Sequence, residues 1–222
     1  MNYLQLTCVY VVLVGTTVPT VTAGFPVETS CDEKVFKEPV DLLIKNARVI
    51  DGSGRPWYWA DVAVVDDEIT MVQSNLNIPA KRSIDATDLT LTPGFIDIHS
   101  HSDTLLLRDG RALGKIHQGV TTEVLGEGYS AGPALGQRPA GSVMTPSGIA
   151  RWSTLGEYFS QLEKRGTSVN VVSYVGLAAV WECVMGKSFE RPTDAQWLLM
   201  EKLVRDAMHQ GARGMSSQVM TP

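Results

Sequence analysis

The chain has 222 residues, 44% hydrophobic and 19% charged, which is the composition of a globular protein with a core to bury. A net charge of −5, with no Lys/Arg cluster, argues against a nucleic-acid surface. Three cysteines widely spaced along the chain do not make a disulfide framework.

Leu4 to about Val14 is apolar, and Val21-Thr22-Ala23 offers a small-residue cleavage site before Gly24. Residues 1–23 therefore read as a secretory signal peptide, too short for a comfortable membrane span, and the protein as secreted or exported. No Lys or Arg precedes the apolar run, so the initiator amine supplies the positive charge; a membrane anchor is the alternative. Cleavage after Ala23 removes Cys8 and leaves Cys31 and Cys183, the latter reading as an incidental buried thiol. Residues 24–39 form a polar lead without pattern.

Short strands are expected from Val40 to residue 91: Leu42–Ile44, Ala47–Ile50, Asp61–Val65 and Ile69–Val72. Asp51-Gly52-Ser53-Gly54 closes the first pair and Asp66-Asp67 turns between the last two, so residues 40–91 read as hairpins of a small β domain. From Thr92 strands alternate with helices, the pattern of a parallel sheet with helical crossovers. The first strand, Phe95-Ile96 and Ile98, follows a Pro-Gly breaker and reads as buried. A helix is expected over 104–117, a second strand at Val120–Leu125, and a long Gly/Pro-rich loop over 129–153 that lines a site or forms a surface insertion. The capping box Thr154-x-x-Glu157 opens a helix that Gly166 stops. Val169–Val175 is the third strand. Thr193-x-x-Gln196 opens the next helix, with Trp197, Met200, Leu203, Val204, Ala207 and Met208 on its buried face. Arg213–Ser217 is the fourth strand. A full eightfold barrel takes about 250 residues, and residues 92–222 provide about half of that, so the barrel is expected to stop midway.

The chemistry concentrates in Asp97-Ile98-His99-Ser100-His101-Ser102-Asp103. Side chains alternate along a strand, which puts His99 and His101 on one side, roughly 7 Å apart along the backbone. Two imidazoles at a strand's C-terminal end can chelate one cation where parallel barrels keep their chemistry. Zinc accepts imidazole nitrogen and, with one position open, makes a nucleophile available near neutral pH. Asp97 and Asp103 flank the pair in the same alternation; both fit a supporting role, and Asp103 fits a helix cap as well. His117 and His209 fall near helix C-termini, a structural setting.

These residues resemble the amidohydrolase superfamily, whose first barrel strand ends in a His-x-His metal pair. The resemblance runs through Asp41-Leu42-Leu43-Ile44-Lys45-Asn46-Ala47-Arg48-Val49-Ile50-Asp51-Gly52, Pro93 to Asp103, and Gln118-Gly119-Val120-Thr121-Thr122-Glu123-Val124. Within the superfamily the chain is most similar to the D-aminoacylase, or N-acyl-D-amino-acid deacylase, branch. The resemblance implies an α/β fold: the N-terminal half of a (β/α)8 metal-dependent hydrolase barrel, with residues 40–91 forming part of a β-sandwich that precedes it. It implies one or two zinc ions, a small-molecule N-acyl amino acid as substrate, and hydrolysis of a linear amide C–N bond. It also implies a further ligand after the second strand, where Glu127 is the candidate and Glu123 the weaker one. Deacylases with Gly-Asn-Cys-Gly use the Cys, which aligns with Gly128; Glu127 is one place away and would face the other side of a regular strand unless a bulge or its longer side chain restores reach. The family's later metal histidines and catalytic Asp are expected beyond Pro222, so no residue here is assigned as general acid or base. After the third strand the deacylases often carry Gly-His-x-x-x-Arg; here Gly176-Leu177-Ala178-Ala179-Val180-Trp181 replaces both polar groups by apolar ones. A dihydroorotase- or hydantoinase-like hydrolase is the second reading, set lower because Ala212–Ser217 offers Arg213 and no Lys. A secreted, non-catalytic binding protein of the same fold, motivated by Leu177 and Trp181, is the third.

Overall fold

The computed structural model describes residues 11–15 and 38–217. The expected leader, 1–23, and polar lead, 24–39, lie outside the described residues apart from 11–15 and 38–39. The chain divides into two units, residues 1–94 and 95–222.

The first unit is one six-stranded sheet. Its strands are β1 (Val11–Gly15), β2 (Val40–Val49), β3 (Tyr58–Val65), β4 (Glu68–Gln73), β5 (Ala80–Asp85) and β6 (Leu89–Pro93). The order is β1-β6-β2-β3-β4, with β5 also pairing β2. Each hydrophobic face finds a core: Ile44, Val62, Val64 and Leu91 on one side, Val40, Leu43, Ala63 and Leu76 on the other. The two strands expected at Leu42–Ile44 and Ala47–Ile50 are a single strand, β2, with a bulge between Ile44 and Ala47. Asn46 takes a left-handed φ of 59°, which Asn tolerates, and its amide donates to Asp61 Oδ1 at 2.7 Å. The turn at Asp66-Asp67 is present. β5 and β6 had no expected counterpart: β5 carries few apolar residues and pairs β2 in parallel, while β6 pairs β1 antiparallel and β2 in parallel.

The second unit alternates strand and helix as expected. Its elements are β7 (Phe95–Asp97), α1 (Asp103–Arg108), α2 (Leu113–Ile116), β8 (Val120–Leu125), β9 (Gly141–Thr145), β10 (Gly148–Trp152), α3 (Leu155–Arg165), β11 (Asn170–Ser173), β12 (Val175–Gly176), α4 (Leu177–Met185), α5 (Asp194–His209) and β13 (Met215–Ser216). β7, β8 and β11 are parallel neighbours in chain order, and β12 pairs β13 in parallel. Both capping boxes form, at Thr154/Glu157 and Thr193/Gln196. Along β8, Thr121, Glu123 and Leu125 are buried, and Leu125 joins a core of Leu107, Trp152, Leu155, Tyr158, Val175, Val180 and Met200.

Four expectations are corrected. The helix over 104–117 is two short ones, because Gly110 packs so close to Gly166 that a Cβ would sit 2.2 Å from its carbonyl oxygen, and Ala112 turns left-handed at φ 47°. Phe95, Ile96 and Ile98 are exposed, up to 74% for Ile98, because no element among the described residues covers them. The stretch 129–153 carries a β9–β10 hairpin whose Val143, Thr145, Ala150 and Trp152 are buried, so it is packed structure. The buried face of α5 is narrower than its periodicity suggests: Met200, Leu203 and Ala207 are buried while Trp197 and Met208 are exposed. Helix α4 has no counterpart in the sequence reading; it is apolar almost all round and lacks a side-chain cap.

Candidate metal centre

β7 ends at Asp97, and the segment behind it is held by side chains and single backbone bonds. The amide of His99 donates to Asp97 Oδ1 at 3.1 Å, and the amide of Ser100 to the Val124 carbonyl at 3.0 Å. This bend brings the rings of His99 and His101 together. Their Nε2 atoms lie 3.0 Å apart, with centroids 5.0 Å apart and ring planes at 71°. A single divalent ion at about 2.0–2.1 Å from each nitrogen would subtend an angle of about 90–95°, and a tetrahedral angle needs the nitrogens only about 0.3 Å further apart.

Glu127 reaches the pair from the end of β8. Its Oε2 lies 2.9 Å from His99 Nδ1, the ring nitrogen away from His101. The offset that would turn a strand residue to the wrong face does not apply here. Gly126 (φ 86°) and Gly128 (φ 69°) flank Glu127 in the left-handed region and break the alternation. A carboxylate on Nδ1 holds the proton there and leaves the Nε2 lone pair free toward His101, the arrangement that metal-bound histidines commonly have. Among the described residues no three His, Cys, Asp or Glu side chains converge as a complete ligand set. Two nitrogen donors with a carboxylate behind one of them is therefore what the described residues provide, and imidazole donors suit zinc.

Behind the pair sits a polar cluster. Glu123 is fully buried; its Oε2 accepts from Ser100 Oγ at 2.5 Å and from Ser102 Oγ. Glu123 thus bonds the serines that alternate with the histidines, not the histidines themselves. Lys115 Nζ donates to Asp97 Oδ2 and to Ser100 Oγ at 3.3 Å, and is 3.8 Å from Glu123. The Lys115 ammonium, with the His99 amide, holds the Asp97 carboxyl below the usual carboxylate range. Burial pushes the Asp103 carboxyl up. Asp103 opens α1 from inside its first turn, and the residue before it, Ser102, makes no side-chain cap bond, so the capping role is not realised. Tyr158, fully buried, donates to the Asp103 carbonyl at 3.0 Å.

Sequence reasoning missed Ser216. Its hydroxyl donates to the Gly126 carbonyl at 2.6 Å and accepts from the Gly128 amide at 2.9 Å, bracketing Glu127 from 90 and 88 residues away. No local signal could have found it; Ser100 and Ser102 were missed as well, although their place between the histidines is a local signal. His117 and His209 sit at the C-terminal ends of α2 and α5, as expected. Trp181 packs against the core and its indole N–H donates to the Ser188 carbonyl at 2.9 Å, which removes it from the grounds for a binding surface.

No family model matches the sequence. The D-aminoacylase of Alcaligenes xylosoxydans xylosoxydans is 33% identical over 188 residues, 83% of this chain and 39% of that relative. A crystal structure of N-acyl-D-glutamate deacylase from Bordetella bronchiseptica, complexed with zinc and a phosphonate inhibitor that mimics the reaction's tetrahedral intermediate, matches with a TM-score of 0.72 at 31% identity, covering 81% of this chain and 38% of that one. A crystal structure of D-aminoacylase, described as defining a novel subset of amidohydrolases, matches at 0.74 and 33% identity, covering 83% and 40%. For D-aminoacylase, one-metal activation and second-metal attenuation are described at a binuclear centre. The chain spans about two fifths of the length of these relatives.

Proposed function

A relative, by sequence and by structure, of the D-aminoacylase branch of the amidohydrolases, this chain is, we propose, part of a zinc-dependent hydrolase that cleaves the linear amide of small N-acyl-D-amino acids. Residues 95–217 are then the first strands and helices of a (β/α)8 barrel, and residues 38–94 a share of the β-sandwich before it. The observation that carries the reading is the His99–His101 pair, with Nε2 atoms 3.0 Å apart and Glu127 behind His99, in a chain matched to deacylases over four fifths of its length.

In this reading His99 and His101 are nitrogen donors to the ion. Glu127, the third donor nominated by the sequence, holds Nδ1 of His99, keeping its Nε2 aimed at the shared position. A bound divalent ion supplies an activated water near neutral pH and polarises the scissile carbonyl. The chain's own work is to fix the two imidazoles at the mouth of the sheet and, through Glu127, the tautomer of His99. The proton-transferring Asp and the two further histidines that the resemblance implies have no counterpart assigned among the described residues. Residues 1–23 are proposed as an export leader, so a secreted product should begin at Gly24 and lack β1, the strand that pairs β6.

The test has two parts. The purified chain, stripped with chelator and titrated with zinc, is expected to take up metal that the His99→Ala/His101→Ala variant does not. The whole protein, loaded with zinc, is expected to release free amino acid from a panel of N-acyl-D-amino acids. Metal uptake unaffected by loss of both histidines would refute the site; a zinc-loaded protein inert on the whole panel would refute the deacylase assignment.

A further inference from the structure

We propose that Glu123 is a positioning residue for the metal pair: a buried carboxylate that fixes Ser100 and Ser102 and through them sets where the Nε2 atoms of His99 and His101 point. The inference rests on the metal role proposed above for the two histidines.

Three observations carry it. The first is an energetic anomaly. Glu123 lies on the face of β8 that also presents Leu125 to the core, and it is fully buried. An aliphatic side chain would fill that position without penalty, whereas a buried carboxylate is destabilising unless paired and hydrogen-bonded. Its compensation is partial: Lys115 Nζ stands 3.8 Å away and is bonded to Asp97, and Glu123 Oε1 has no hydrogen-bond partner among the described residues.

The second is what the carboxylate does bond. One oxygen, Oε2, accepts from both serine hydroxyls, which are themselves 3.0 Å apart. Bonds from hydroxyls to an ionised oxygen are short and roughly twice as strong as neutral ones.

The third is where regular pairing stops. The β7–β8 ladder ends at Asp97, before either histidine. Past that point the chain is tied to β8 by the Ser100 amide on the Val124 carbonyl and by the two serine hydroxyls on Glu123. His99 has Glu127 on its ring; the backbone on both sides of His101 is fixed through the two serines. Removing the carboxylate would free that backbone and let the two nitrogens drift from their shared position.

The experiment uses the full chain, stripped of metal, with two readouts. Zinc affinity is measured by competition with a chromophoric chelator. The visible spectrum of the Co2+-loaded protein reports coordination geometry, which a purely structural role would leave alone in any molecule that stays folded. Glu123→Leu is expected to weaken zinc binding roughly 10- to 100-fold, the usual effect of losing a group that orients ligands, and to alter the cobalt spectrum. Glu123→Gln, which keeps an acceptor oxygen, is expected to retain much of the affinity. Ser100→Ala/Ser102→Ala is expected to reproduce Glu123→Leu, and it carries the test if Glu123→Leu does not fold. Wild-type affinity and an unchanged cobalt spectrum in Ser100→Ala/Ser102→Ala would overturn the proposal, while loss of metal in His99→Ala/His101→Ala would show the underlying metal reading intact. If the wild-type chain takes up no metal, both fall together.

Discussion

Gly126 is the residue on which the geometry of Glu127 turns, and Gly126→Ala should be among the most damaging single-methyl changes in the second unit. Its φ of 86° lies in the left-handed region, where an L side chain costs about 1–2 kcal/mol. The added Cβ would also sit 2.2 Å from the Tyr174 carbonyl oxygen and 2.6 Å from Ser173 Oγ. Neither neighbour can retreat freely. The Tyr174 amide donates to the Leu125 carbonyl at 2.9 Å, and Ser173, fully buried, donates to that same Tyr174 oxygen at 2.8 Å. Overpacking against such a neighbour adds about 1–3 kcal/mol, for a total of about 2–5 kcal/mol against an overall stability of about 5–15 kcal/mol. Gly54 is the internal control: its φ is 84° and a Cβ there meets nothing within 4 Å. Gly54→Ala should therefore show a backbone penalty without a clash. The assay is urea unfolding of the two variants beside the parent chain, read as the midpoint at constant slope. Equal losses for Gly126→Ala and Gly54→Ala would refute the close-packing argument and leave only the backbone one.

Glu127→Gln should separate two roles of that carboxylate: complete loss of metal binding identifies a direct ligand, whereas a loss of about 10- to 100-fold identifies a group orienting His99, and equilibrium dialysis against zinc distinguishes them. Ser216→Ala leaves the Gly126 carbonyl and the Gly128 amide without the hydroxyl that joins them. It should lower stability by about 1–3 kcal/mol, and an unchanged urea midpoint would contradict the bracketing role. Hydrogen bonds from Ser53, its side chain and then its amide, pull the Asp51 carboxyl down to about 2. A depressed folded-state pKa means this contribution is present above pH 4 and is lost as pH falls toward 2. Asp51→Asn should accordingly flatten the acid limb of the stability curve between pH 4 and 2, measured as urea midpoints, and leave the slope near neutrality unchanged.

The legibility of the fold followed the range of the interactions that specify each element. The helices α3 and α5 were readable because a capping box is a four-residue device, closed by the N-cap and N3 residues alone. β8 was readable because its alternation and the flanking glycines lie within one window. The helix expected over 104–117 failed at Gly110, whose contact is with Gly166, and α4 was invisible because an all-round apolar segment carries no period to detect. The exposed β7 misled for a related reason: apolar residues state a preference for burial, and whether other elements cover their faces is decided outside the local window.

The same division holds at the candidate site. His99 and His101 were legible in the sequence as a spaced pair, but it is the bend after β7, held by Asp97 and Val124, that brings their rings together. That Glu127 faces His99, that Glu123 grips the serines and that Ser216 brackets the turn were decided by the tertiary structure. The alternation rule breaks at two left-handed glycines, and hydroxyls up to 90 residues away supply bonds that no local window contains.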